Sequence, residues 1–268
     1  NVPISLDSGS LGFDVLLAGT ASLRLGQGMS INGAVSQKIF GSAATDAEPS
    51  DSPTPVRSNA ALYNDDGPSI DRLTADYVFK LSPTTFARVS AGYLETMFAG
   101  VSGEVLWKPV AQNWGLGFEV NAVQQRATGN LLGLDDYQAV TGYASLYVDT
   151  GFHDLEAQVD VGRYLAGDVG ATFALSRHFA NGWEVSGFVT LTDMSFEDYG
   201  DGNFTKGFEI TIPLRWTMPL DTRSTLGLGL GNYSGDGGAR LNLNNRLYPT
   251  IRDYESIDFE ESWGAYWQ

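Results

Sequence analysis

Cysteine is absent from the 268 residues of the chain, and histidine and lysine are scarce. Without cysteine there is no disulfide framework, no thiolate nucleophile and no cysteine-ligated metal site. The 16 Lys and Arg residues against 32 Asp and Glu residues give a formal net charge of −16. Because nucleic-acid binding relies on clustered Lys and Arg side chains at phosphates, this balance argues against a nucleic-acid partner.

Charge and long hydrophobic runs are also in short supply. Charged residues make up 18% of the chain and aromatic residues 12%, whereas an average soluble domain is roughly 25% charged. Apolar runs such as 15–18 are far shorter than the ~20 residues that a membrane-spanning helix requires. The composition therefore predicts a surface that is unusual for a water-soluble protein.

Alternation of apolar and polar residues with a period of two is the main pattern. Near residue 155, for example, Leu155, Ala157 and Val159 alternate with polar residues, as in a β-strand with one apolar and one polar face. Alternation and turn signals together predict about twelve such segments. They lie near 11–25, 29–40, 70–81, 85–97, 100–109, 114–126, 139–150, 154–165, 168–179, 183–193, 204–217 and 222–231.

Two architectures bury strands of this kind. A soluble sandwich or barrel points the apolar face inward, whereas a membrane barrel points it at lipid. The polar faces are rich in Gly, Ser, Thr and Asn, and aromatic residues such as Trp107, Trp114 and Trp183 lie near segment ends, as in interfacial girdles. The pattern favours an all-β, transmembrane, antiparallel up-and-down β-barrel of about 12 strands.

The predicted organisation has three parts. An N-terminal extension, 1–10, precedes a barrel at 11–233, which includes a mobile loop at 41–69 that is rich in Ser, Pro and acidic residues. The C-terminal part, 234–268, is expected to hold an extra strand at 237–248 and then a short amphipathic helix. Connections alternate between short turns and long loops, as at the periplasmic and extracellular ends of membrane barrels. The long ones are 41–69, 127–138 and 194–203.

Catalytic and metal sites have weak support. His178 shares its predicted face with Ser176, but no third residue is indicated to orient the pair. The acidic loop 196–203 could offer oxygen ligands to calcium, yet its spacing is not that of an EF-hand loop, and an exposed turn is the favoured interpretation. We therefore predict no catalytic residue, no metal and no cofactor.

Several long stretches resemble one family. The segment 86–109 (FARVSAGYLETMFAGVSGEVLWKP), the segment 161–214, and the later segments 236–248 (DGGARLNLNNRLY) and 262–267 (SWGAYW) are similar, in this order, to the YjbH family of exopolysaccharide and capsule-associated outer-membrane proteins. The resemblance implies an outer-membrane barrel of a Gram-negative bacterium. Family members are usually much longer, so the chain is expected to be their C-terminal barrel portion.

The leading hypothesis is a non-enzymatic outer-membrane barrel that assists export or surface assembly of an exopolysaccharide. The expected partners are outer-membrane lipid, polysaccharide, and either the protein's own N-terminal half or other secretion and surface proteins. The alternative is a scaffold barrel that binds such partners without passing polymer, which a lumen filled by its own chain would favour. A membrane-embedded hydrolase centred on His178 is the third and weakest hypothesis.

Two sets of charged residues are candidates for the functional site. For the rim set, the favoured interpretation is structural: a salt-bridged network that fixes loops against the barrel rim. The rim set is Arg163, Asp168, Glu197, Asp198, Lys206, Asp236 and Arg240, and the lumen set is Arg88, Glu119, Asp160, His178, Glu184 and Arg215.

Overall fold

A computed structural model describes residues 4–7, 10–41, 49–63, 67–179, 181–195, 205–213, 225–231 and 235–252. This part of the chain forms 13 β-strands, a 3-10 helix at Ala60–Tyr63 and one short helix, α1, at Leu247–Arg252. The strands are β1 Ile4–Asp7, β2 Ser10–Gly26, β3 Met29–Gly41, β4 Pro68–Ser82, β5 Thr85–Tyr93, β6 Phe98–Trp107, β7 Trp114–Arg126, β8 Leu134–Asp149, β9 Leu155–Arg163, β10 Val169–His178, β11 Glu184–Thr192, β12 Thr205–Pro213 and β13 Thr225–Gly231. No helix within these ranges is long and apolar enough to cross a membrane.

All the strands belong to one antiparallel sheet in which each pairs with its neighbours in chain order. The predicted all-β, up-and-down fold is confirmed, and each of the twelve predicted segments overlaps one strand. The additional strand, β1, lies in the predicted N-terminal extension. Among the described residues β1 and β13 do not pair with each other, so closure of the sheet into a barrel stays a prediction.

The connections separate into two groups at opposite ends of the sheet. Because consecutive strands run antiparallel, alternate connections lie at the same end. The three predicted long connections follow β3, β7 and β11 and share one end, which we call the long-loop end. The predicted short turns follow even-numbered strands and share the other end, the short-turn end.

The sheet buries its polar face and exposes its apolar face. On β7, Glu119 and Asn121 are 3% and 0% exposed, whereas Phe118 and Val120, which alternate with them, are 56% and 61% exposed. Successive side chains of a strand point to opposite faces, so the two sets lie on opposite sides of the sheet. This arrangement reverses the usual preference of buried positions for apolar side chains.

The sheet curls around the C-terminal segment, defined here as residues 235–252. Asn245 donates a hydrogen bond to Asp76 on β4, while Arg252 contacts His178 on β10. In a flat sheet these two strands would lie about 29 Å apart. The six residues of α1 extend about 9 Å along a helix axis, and the two residues before it add at most about 7 Å. One short segment can reach both strands only because the sheet bends around it.

The extra strand predicted at 237–248 is wrong. Its alternating apolar residues suggested a strand, but the segment is irregular up to α1. Two of its backbone N–H groups donate to carboxylates instead of to a strand ladder: that of Gly238 to Asp168 and that of Asn242 to Glu95. The short helix is confirmed, and it contains Pro249. Proline is tolerated there because the first four N–H groups of a helix have no intrahelical partner.

The turn between β2 and β3 offers a test of the packing at the short-turn end. Gly26 and Gly28 both have positive φ, +91° and +82°, but a Cβ at Gly28 would lie 1.9 Å from the carbonyl oxygen of Val78, whereas one at Gly26 would meet nothing. We expect Gly28→Ala to lower the free energy of unfolding by about 2–4 kcal/mol and Gly26→Ala by about 1 kcal/mol. Chemical denaturation of both variants measures the difference; equal losses would contradict the close approach.

Candidate functional site

Carboxylates line the buried face of the curled sheet. Period-two alternation on β4, β6, β7 and β9 points five of them inward, and we call these the wall carboxylates. Glu104 and Glu119 lie directly opposite each other on neighbouring strands, a pairing that is unfavourable for like charges unless cations intervene. The wall carboxylates are Asp76, Glu104, Glu119, Glu156 and Asp160.

The C-terminal segment supplies most of the cations. Arg240 Nη1 lies 2.8 Å from Asp160 Oδ2, and Arg246 Nε lies 2.8 Å from Glu119 Oε2. Arg252 Nη1 lies 3.3 Å from a carboxylate oxygen of Glu156. The three arginines recur every six residues, so one short segment provides countercharges to carboxylates on two different strands.

One wall carboxylate is paired within the wall itself. The side chain of Arg88 on β5 is fully buried, and its Nε donates to Glu104 Oε2 at 3.0 Å. Two further guanidinium nitrogens donate to the hydroxyls of Ser90 and Ser102. The other oxygen of Glu104 accepts the backbone N–H of Leu247 at 3.0 Å, which attaches the start of α1 to this ion pair.

Apolar clusters hold the C-terminal segment at both ends. Near the long-loop end, Leu241 and Leu243 pack with Leu94 and Phe98. Near the short-turn end, the ring of Tyr248 stacks on that of Tyr147, with centroids 3.8 Å apart and an interplanar angle of 5°. The segment therefore fills the interior between two apolar clusters, with the ion pairs between them.

Residues 49–63, within the loop predicted to be mobile, pack against this segment. Val56 is fully buried in the apolar cluster of the long-loop end, and Arg57 forms two hydrogen bonds, of 2.7 and 2.9 Å, with the carboxylate of Glu95. Asp236 accepts the backbone N–H groups of Arg57 and Ser58 and the hydroxyl of Ser58. The composition of the loop did not reveal these attachments, because they depend on residues 38 to 179 positions away.

Asp236 offers a direct test of this attachment. Asp236→Ala leaves three donors without their acceptor, so we expect the free energy of unfolding to fall by about 2–3 kcal/mol. The amides of Arg57 and Ser58 should also lose protection from hydrogen exchange. Asp193→Ala, which removes one exposed hydrogen bond to the N–H of Val169, is the matched control and should cost under about 1 kcal/mol. Unchanged protection at 57 and 58 would contradict this attachment.

The structure brings three members of the predicted rim set together around the C-terminal segment. Asp168 accepts the N–H of Gly238, and burial raises the pKa of its carboxyl group. Asp236 and Arg240 belong to the segment itself. Arg163 and Lys206 are exposed and lie outside this group. Glu197 and Asp198 lie outside the described residues.

The predicted lumen set divides in a similar way. Arg88, Glu119 and Asp160 are buried in the interior, as described above, and Arg215 lies outside the described residues. His178 and Glu184 are partly buried beside Arg252, with His178 Nδ1 at 3.7 Å from Glu184 Oε2.

Arg252 also contacts Nε2 of His178. Since a guanidinium only donates hydrogen bonds, Nε2 must accept one, so this imidazole nitrogen is occupied and is not available to remove a proton from Ser176. No group of three or more potential metal ligands occurs within the described ranges.

Sequence reasoning missed several residues that complete the interior. Glu104 follows the period-two alternation of its strand and could have been found from that pattern. The six-residue spacing of Arg240, Arg246 and Arg252 was a second available signal. No local pattern indicated the pair formed by Arg57 and Glu95.

These features define an all-β protein whose curled antiparallel sheet buries charged side chains around its own C-terminal segment and exposes apolar ones. A family model described as "Exopolysaccharide biosynthesis protein YbjH" matches residues 6–253, and the chain belongs to this YjbH family, as the sequence resemblance implied.

A relative from Escherichia coli (strain K12), named "Uncharacterized lipoprotein YjbH", is 36% identical over 216 residues, which cover 79% of this chain and 31% of the relative. The chain therefore spans about a third of the length of this curated relative. No solved structure matches the chain.

Proposed function

We propose that the chain is a lipid-embedded β-barrel of the bacterial outer membrane that serves in exopolysaccharide production as a non-enzymatic, filled barrel. The main observation behind the proposal is that the sheet buries charged groups on its inner face and exposes apolar groups on its outer face. The family description concerns exopolysaccharide biosynthesis, which supplies the pathway. The name of the Escherichia coli relative, a lipoprotein, supports attachment to a membrane.

The outer face suits lipid. Strands β5, β6 and β7 have 9, 10 and 13 residues, and about 9–11 residues of a tilted strand cross the hydrocarbon core. Their outward side chains include the exposed Val89, Val101 and Phe118. Trp107 and Trp114 make an edge-to-face contact at the short-turn end, where an interfacial aromatic girdle is expected.

The filled interior favours surface assembly over conduction of polymer. Passage of a glycan along the interior face of β4–β10 would require the C-terminal segment to leave, which would separate Arg240 and Arg246 from buried carboxylates and break up two apolar clusters. Breaking buried ion pairs by removing one partner is strongly unfavourable. We therefore place binding of polysaccharide, secretion proteins or the remainder of a longer chain at the loops and rim, and treat export through the interior as the second candidate function.

Reconstitution and genetics test the proposal together. In planar lipid bilayers the purified chain should insert without a steady ion conductance, and deletion of its gene should reduce the amount or change the length of surface polysaccharide. A steady conductance wide enough for a hydrated glycan would favour export. Failure to associate with bilayers, or surface polysaccharide unchanged in amount and size, would contradict the proposed function.

A further inference from the structure

The loop between β7 and β8, residues 127–133, is unusually apolar for an exposed connection. Leu131 and Leu132 in the loop, and Leu134 at the start of β8, are 45%, 63% and 50% exposed. Isolated exposed leucines need no explanation, but three within four residues concentrate apolar surface in one place, which points to an interaction surface.

A buried arginine holds this loop in place. Arg126, 4% exposed, donates to the carbonyl oxygens of Ile70 at 2.6 Å, Thr96 at 2.7 Å and Leu131 at 3.0 Å. One guanidinium thus joins the β7–β8 loop to the start of β4 and to the β5–β6 connection. Its planar fork of donors is suited to several acceptors at once.

A tyrosine completes the attachment from the neighbouring strands. The guanidinium carbon of Arg126 lies 4.7 Å from the centroid of the Tyr93 ring, and the Tyr93 hydroxyl donates to the carbonyl oxygen of Leu132 at 3.0 Å. The N–H of Leu132 donates to the side chain of Asn130. With both backbone groups of Leu132 bonded, its side chain is held outward instead of turning toward the protein.

The position of the loop along the strand direction indicates that its partner is the lipid interface. Tyr93 pairs with Leu73, which is exposed on the outer face, so the loop adjoins the face that we assign to lipid. Strand register places Tyr93 level with Gln124 and Gln138, through Ala99. Polar and amphipathic groups at this level suit the headgroup region, where apolar loop residues can reach the acyl boundary.

We propose that the loop 127–133, together with Leu134, is a preorganised membrane anchor that inserts its leucines into the lipid interface at the long-loop end, with Arg126 as its positioning residue. The proposal rests on the proposed function, because it needs the outer face to contact lipid. Its occupant is lipid, and a protein partner is an outcome of the test below.

The absence of cysteine from the chain allows single-cysteine labelling without background. Leu132→Cys, Val120→Cys and Gln112→Cys, each labelled with the environment-sensitive fluorophore NBD, are reconstituted as the full chain in phosphatidylcholine vesicles with quencher-bearing acyl chains. Val120 lies four residues below Gln124 on β7, about 14 Å deeper along the strand. We expect the 120 label to be quenched most by deep quenchers, the 132 label most by shallow quenchers, and each at least about twice as strongly as the 112 label.

The three labels test the membrane anchor separately from the proposed function. Quenching at 120 without quenching at 132 would overturn the anchor and leave the proposed function intact, and absence of quenching at 120 would overturn the proposed function. A blue-shifted 132 label that lipid quenchers do not reach would show contact with protein and would also overturn the anchor.

Two further variants test whether the attachments through Arg126 and Tyr93 position the loop. Arg126→Lys and Tyr93→Phe should each reduce quenching at 132 without changing quenching at 120. The milder Tyr93→Phe keeps the test decisive if Arg126→Lys does not fold. Unchanged quenching at 132 in Tyr93→Phe, and in Arg126→Lys if that variant folds, would remove the positioning role.

Discussion

Replacing Arg88 by methionine should lower the free energy of unfolding by about 3–5 kcal/mol, because it leaves a buried carboxylate without its cation. The guanidinium is fully buried and donates to Glu104, Ser90 and Ser102. No other strand residue supplies Glu104 with a hydrogen-bonded cation in the described part of the chain. Chemical denaturation in a lipid-like environment, followed by tryptophan fluorescence, measures the loss.

A second substitution separates the charge effect from a packing effect. In Arg88→Met combined with Glu104→Gln, no unpaired carboxylate remains, and the amide oxygen can still accept the N–H of Leu247. We expect the double variant to recover more than half of the lost stability, because an ion pair can be replaced by neutral groups at little cost. A double variant as unstable as Arg88→Met would assign the loss to packing around residue 88.

The strands were predictable from sequence because their signal is local. Alternation along β9, from Leu155 to Val161, is complete within seven residues, and the same holds for most other strands. The sequence also indicated that Arg88, Glu119 and Asp160 share the polar face. What it did not indicate was which partner each would meet, since the arginine partners of Glu119 lie more than 100 positions along the chain.

The C-terminal segment shows why the prediction of an extra strand at 237–248 was wrong. At 237–248 the apolar residues Ala239, Leu241 and Leu243 alternate as they would in a strand. A strand needs a neighbour with free backbone groups, whereas inside the curled sheet the neighbours are carboxylates such as Glu95 and Asp168. The N–H groups of Gly238 and Asn242 donate to these oxygens. Those of Ala239 and Leu243 donate to carbonyl oxygens of the segment itself, so no strand ladder forms here.

Glu119→Gln should loosen the C-terminal segment more than any other single substitution on β7. Glu119 lies 2.8 Å from Arg246 and 3.7 Å from Arg240, and it also accepts a hydrogen bond from Asn121. Its removal leaves Arg246 without the carboxylate to which it is hydrogen-bonded, for which we expect a loss of about 2–3 kcal/mol in the free energy of unfolding. Residues 240–247 should exchange their amide hydrogens faster.

Glu184→Gln is the matched control for this substitution. Its carboxylate also faces the interior but is partly exposed, and it contacts the imidazole of His178 at 3.7 Å, so the same chemical change should cost under about 1 kcal/mol. Ion conductance across planar bilayers tests whether the C-terminal segment seals the interior. If it does, Glu119→Gln should produce brief channel openings and Glu184→Gln should not. Faster exchange at 240–247 with an interior that stays closed would assign the seal to the two apolar clusters and leave the ion pairs with a purely stabilising role.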